Sequence, residues 1–154
     1  MPMTKARTYL EELQNGAGRV EKGLPLNPEL DQALQTLREL FSRLIFNILC
    51  GNTDDHARNH AAFWDGEMLS LTPAYDICPQ SHAGNEASQA ILISGASRMS
   101  RIASCVDAGH HFLLSREETL AIAAYQKQII EIAYRSLKPV PAAGGDADSS
   151  RRAS

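Results

Sequence analysis

Cysteine, aromatic residues and net charge are all scarce in this chain. Three cysteines, Cys50, Cys78 and Cys105, lie far apart with no C-x-x-C pair. Neither a disulfide framework nor a zinc knuckle is therefore suggested, and apolar neighbours make each cysteine read as a small buried hydrophobe. A net charge of −3 offers no general attraction to nucleic acid or to a membrane surface. No apolar run approaches the ~20 residues that a membrane-spanning helix needs, and Met1 to Leu10 is too polar for a signal peptide. The reading is a reduced, cytoplasmic protein. What is present is ordinary for a globular chain: 154 residues, 44% hydrophobic and 21% charged, enough for one domain with one core.

Punctuation along the chain divides it into elements. Residues 4–14 suit a short helix with Tyr9, Leu10 and Leu13 on one side, ended by Asn15-Gly16-Ala17-Gly18, and residues 15–26 read as a loop. Asn27-Pro28 opens a long helix, asparagine as N-cap and proline at the first helical position. Leu30, Leu34, Leu37, Leu40, Phe41, Leu44, Ile45, Ile48 and Leu49 recur at helical spacing. The pattern becomes apolar nearly all round after Phe41, which places that end in the core, and Gly51 stops the helix. Asp65-Gly66 between short apolar arms signals a two-residue hairpin turn. Ala90-Ile91-Leu92-Ile93 is strand-like, and residues 98–108 suit a helix. Ser115-Arg116-Glu117-Glu118 is a capping box opening a last helix to about Leu137. Three units follow: a leader over 1–27, a domain over 28–138, and a tail over 139–154 whose composition predicts disorder. The fold class is mainly α, with one small β-hairpin.

Chemistry concentrates between the buried helix and the hairpin. Asp54, Asp55, His56, Asn59 and His60 crowd one turn, and the hairpin should return Asp76 near Asn59. Two carboxylates and an amide oxygen are hard ligands, suited to Mg²⁺ rather than zinc. Phosphoryl transfer uses such a set: an aspartate that accepts the proton of the attacking hydroxyl, an asparagine five residues on that holds one metal, and a later aspartate that holds another. Asp54 and Asn59 have that spacing. Blander roles stand beside these. Thr53 or Asp54 would cap a short helix from Asp55. His56 and His60 at i, i+4 lack the glutamate of a zinc helix, and His56 would hydrogen-bond the loop backbone. His110-His111 reads as a surface pair, Tyr75 and Trp64 as packing residues, and Arg98 and Arg101 as a solvated helix face.

The run Leu44-Ile45-Phe46-Asn47-Ile48-Leu49-Cys50-Gly51-Asn52-Thr53-Asp54-Asp55-His56-Ala57-Arg58-Asn59-His60 resembles the central signature of the HipA toxin family, N-T-D-x-H-x-K-N. Leu71-Thr72-Pro73-Ala74-Tyr75-Asp76 is similar to its L-x-P-x-Y-D segment. The resemblance implies the helical C-terminal lobe of a protein-kinase-like fold, and ATP-dependent serine/threonine phosphorylation within a type II toxin–antitoxin pair. It also implies Asp54 as catalytic base with His56 beside it, Asn59 and Asp76 as Mg²⁺ ligands, and Arg58 facing the nucleotide phosphates in place of the family's usual lysine. The partners implied are a protein substrate such as an aminoacyl-tRNA synthetase (glutamyl-tRNA synthetase is the family's best-known target) and a HipB-like antitoxin. Residues 1–40 carry no glycine-rich loop between strands and no lysine on a predicted strand, so the nucleotide-holding N-lobe is expected from elsewhere. The isolated chain is expected to be inactive or nearly so, and to expose an apolar face where that lobe sits. The alternative is a non-catalytic remnant, or split-kinase subunit, that binds such a partner.

Overall fold

A computed structural model describes residues 2–80, 89–91 and 100–137, with side chains from residue 7 onward. Helix α1 spans Pro2–Glu21, α2 Pro28–Leu49, α3 Ile102–Ala108 and α4 Arg116–Ser136. Strands β1 (Ala62–Trp64) and β2 (Leu69–Leu71) form the antiparallel pair. The chain is thus mainly α with one small hairpin, as its pattern implies.

α1 runs through Asn15-Gly16-Ala17-Gly18 rather than stopping there, so the helix expected over 4–14 is longer and most of the expected loop is helical. Gly16 is buried where α1 meets α2: a Cβ there would sit 3.6 Å from Leu34 and 3.9 Å from Leu30. Two glycines cost a helix only ~1 kcal/mol each, and packing against α2 overrides that penalty. The helix ends instead at Gly23 (φ 65°). There the Leu24 amide donates to the Arg19 carbonyl and the Gly23 amide to the Val20 carbonyl, the paired bonds of a Schellman cap.

α2 is the central element, touching α1, β2, α3 and α4. Asn27 caps it as expected, its side chain accepting from the Leu30 amide at 2.8 Å. Gly51 (φ 77°) turns the chain out of it. Phe41, Leu44, Ile45 and Ile48 pack with Cys105 and Ala108 of α3 and Ile122 and Ala123 of α4. Phe112 meets Phe41 edge-on at 5.3 Å between ring centroids. The capping box at Ser115 and Glu118 is complete in both directions. α3 starts at Ile102, later than the expected 98, with Ser100 and Arg101 outside it and 98–99 beyond the described residues.

The hairpin pairs Ala62 with Leu71, Phe63 with Ser70 and Trp64 with Leu69. Its turn is shifted by one residue from the expected one. Asp65 occupies the first position, and its carboxylate accepts from the amides of Glu67 and Met68 at 2.9 and 2.8 Å, so Gly66 and Glu67 form the centre. Those two bonds also hold the Asp65 carboxyl below its usual pKa. The side chain captures the amides that a symmetric Asp-Gly turn would leave to the ladder. Three bonds seat the hairpin and its exit on α2: Thr36 to the Leu69 carbonyl at 3.1 Å, Gln32 to Ser70 at 3.3 Å and Arg43 to the Thr72 carbonyl at 2.5 Å.

Other expectations change. Cys50 and Cys105 are buried, but Cys78 is exposed. Trp64 lies outward rather than packed. Ala90 and Ile91 form a bend rather than a strand, and Leu92 and Ile93 lie outside the described residues, as do Arg98 and the tail. Among the described residues no helix is long and apolar enough to cross a membrane.

Candidate active site

The segment after α2 is folded back on the helix end by its own polar residues. The Asn52 amide donates to the Asn47 carbonyl at 2.8 Å, and the Asn52 side chain donates to Asn47 Oδ1 at 3.2 Å. Both asparagines are buried. Later chain brackets the same turn: Gln80 donates to the Cys50 carbonyl and Ala90 to the Thr53 carbonyl. The entry into the loop is therefore fixed from both sides before Asp54 is reached.

Asp54 and Asp55, adjacent in sequence, have opposite environments. The Asp54 side chain is 71% exposed, and its Oδ1 lies 2.8 Å from His56 Nε2. The Asp55 side chain is 2% exposed, and its Oδ1 lies 2.9 Å from His60 Nε2. The extended backbone at His56 leads into a short 3₁₀ turn, Ala57–Asn59, closed by Asn59 N–H to the His56 carbonyl. That turn starts at Ala57 with no side-chain cap, so neither Thr53 nor Asp54 caps a helix from Asp55. The His56 ring lies beside the Asp54 carboxylate, and among the described residues it makes no bond to the loop backbone. The two histidines turn to different carboxylates, and this separates them as a zinc pair.

Asn59 is buried, and its amide nitrogen donates to the Asp54 carbonyl at 3.3 Å. With the nitrogen so held, the carbonyl oxygen is the atom left for a hard cation. Tyr75, expected to pack, is half exposed, and its hydroxyl donates to the Arg58 carbonyl at 2.6 Å. This bond joins the residues immediately preceding Asn59 and Asp76, so it draws the two chain segments together at that point. Asp76 is exposed with φ 55°, a left-handed backbone uncommon outside glycine and concentrated at functional sites. Arg58 is exposed and makes no ion pair among the described residues. Beside the loop lies a pocket of about 410 Å³, lined among others by Arg43, Asp55, Asn59, His60, Tyr75 and Ile77. Asp54 and Asp76 are not part of its wall.

The donor set fits Mg²⁺ better than a transition metal. Among the described residues no group of three His, Cys, Asp or Glu could hold a metal ion, whereas zinc takes three or four such ligands. Mg²⁺ keeps several waters and takes only one or two protein oxygens alongside phosphate, and Asn59 and Asp76 carry oxygens of that kind. Sequence reasoning missed two parts of this arrangement: the Asp55–His60 pair and the Tyr75 anchor. Tyr75 carried a signal, because it directly precedes the metal-binding candidate. Nothing local showed that Asp55, rather than Asp54, would be the buried one.

The architecture is a helical lobe whose central helix delivers an aspartate–asparagine loop to a hairpin ending in Tyr-Asp. The family model for the HipA-like C-terminal domain matches residues 6–141, and the chain belongs to that family. That span includes α1 as well as the region from α2 onward. No curated protein matches the chain, and no solved structure does.

Proposed function

We propose that this chain is the base-and-metal lobe of a HipA-like serine/threonine kinase, transferring the terminal phosphoryl group of ATP to a protein hydroxyl. One observation supports this above the rest. Of two adjacent aspartates, the one at kinase spacing from Asn59 is the exposed one, free to meet a substrate, while its neighbour is buried. In this reading Asp54 accepts the hydroxyl proton through the oxygen not engaged by His56, and His56 orients the carboxylate. Asn59 and Asp76 would hold Mg²⁺ by their side-chain oxygens, with Arg58 toward the nucleotide phosphates, and the ion when bound would supply neutralisation of the phosphate charge. The acceptor is a protein serine or threonine, and the biological setting is a toxin–antitoxin pair with a HipB-like partner.

The test is transfer of labelled phosphate from Mg²⁺-ATP to a protein acceptor, with a nucleotide-holding lobe supplied. Asp54→Ala should lower the rate by ~10²–10⁴-fold, the usual contribution of a positioned base. Transfer that survives this change rejects the role of Asp54.

A second reading is favoured by a separate observation. Phe63 and Trp64 are 64% and 62% exposed on the hairpin, with Leu69 beside them. Apolar side chains held out on a rigid hairpin suit a protein partner, here a nucleotide-binding lobe or antitoxin, and need no catalysis. Tight binding of Mg²⁺-ATP by the chain alone would count against this non-catalytic reading.

A further inference from the structure

We infer that the buried Asp55–His60 pair is a positioning clamp that sets the spacing between Asp54 and Asn59. The inference rests on the kinase reading above, because it assigns the pair a role toward those two residues. Its basis is chain adjacency: Asp55 follows Asp54, and His60 follows Asn59. The bond from His60 Nε2 to Asp55 Oδ1 therefore ties together the inward neighbours of the base and of the metal ligand. The Asn59 side chain, donating to the Asp54 carbonyl, closes the overlapping span one residue earlier. Two cross-links over residues 54–60 leave little backbone freedom between the functional groups.

The environment makes this bond a firm one. The side chains of Asp55 and His60 are 2% and 12% exposed, so water competes little, and a hydrogen bond to a carboxylate is strengthened in such surroundings. Where the carboxylate is ionised it only accepts, which makes Nε2 the donor of this bond. The far atoms of the pair, Asp55 Oδ2 and His60 Nδ1, are buried with no partner among the described residues. A buried polar pair satisfied on one side only is a poor way to stabilise a fold, and an apolar pair of similar shape would serve stability as well or better. Its value here lies in geometry. Asp54 and His56 turn outward on the same stretch of chain because Asp55, between them, is drawn inward.

Mn²⁺ replaces Mg²⁺ as the probe, added alone to the full chain, with paramagnetic broadening of the Asn59 and Asp76 resonances read by NMR. The wild-type chain should show broadening at both residues. The double change Asp55→Leu with His60→Leu should leave thermal stability unchanged or raised, yet weaken Mn²⁺ binding by about tenfold, the scale on which outer supports of metal ligands act. His60→Gln, which keeps an N–H directed at Asp55, should recover most of the affinity lost in His60→Phe. Wild-type Mn²⁺ affinity in the folded double variant would overturn the clamp, as would a His60→Gln variant no better than His60→Phe. Absence of broadening at Asn59 and Asp76 in the wild-type chain would instead reject the metal reading on which the clamp depends.

Discussion

The loop over residues 52–60 and the hairpin over 62–71 are neighbours with inverted surfaces. In the loop, polar side chains are buried: Asn52, Asp55 and Asn59, with Asn47 beneath them. In the hairpin, apolar side chains are exposed: Phe63, Trp64 and Leu69. Each breaks the usual partition of residues, and each for a different reason. Buried polar groups give the loop directional bonds, which fix geometry where apolar contacts would only fill space. The exposed apolar side chains of the hairpin make no comparable internal bonds, and they are the feature on which the proposed partner contact rests.

The contrast can be broken or sharpened by substitution. The reference is the true core. Phe41→Ala removes a fully buried ring against Phe112 and should cost ~3–5 kcal/mol in chemical unfolding. Asn47→Ala leaves the buried Asn52 side-chain Nδ2 without its acceptor, Asn47 Oδ1, and should cost ~1–3 kcal/mol. A cost as small as that of a surface change would show that the loop's polar web is solvated in solution, and the contrast would collapse. Trp64→Ser should change the stability of the isolated chain by no more than ~0.5 kcal/mol, while weakening capture of a nucleotide-holding lobe. A large loss of stability would mean that the ring packs within this chain.

The smallest effect is in acid, at a residue outside both regions, and serves as a control. Glu118 is partly buried, which raises its pKa, but its bonds to Ser115 and its pairing with Arg38 outweigh burial and leave the carboxyl below its usual value. A depressed folded-state pKa contributes stability that is present above the unfolded value and lost as pH falls through the folded one. Stability should therefore fall slightly as pH drops below the ordinary range of glutamate. Glu118→Gln should flatten that part of the profile, measured by thermal unfolding from neutral pH downward. A profile identical to wild type would remove Glu118 from the account.

Several elements were legible in the sequence because their causes are local. Asn27-Pro28, Gly51 and Ser115-Glu118 act within one helical turn through caps and backbone angles, and all three mark the helix ends where the structure has them. The apolar run after Phe41 is central because its period admits no polar face. The candidate site was legible as a set of residue types and spacings, and as a family signature. The errors came where distant chain decides. The Asn-Gly-Ala-Gly segment stays helical because α2 lies against Gly16. Cys78 is exposed although its neighbours are apolar, because nothing among the described residues covers it as α2 and α4 cover Cys105.

Sequence alone determined the mainly helical class, the limits of α2 and α4, the hairpin, and the residues from Asn52 to Asp76 that could hold chemistry. Tertiary structure decided which way they face. Spacing to Asn59 singles out Asp54, but Asp54 and Asp55 are chemically identical neighbours, and no local preference says which of them is buried. In the fold the Asp55 carboxylate is buried against His60, while the Asp54 carboxylate is left to solvent. Hydrogen bonds are directional and burial is long-range, so which of two adjacent aspartates faces solvent waits on the fold.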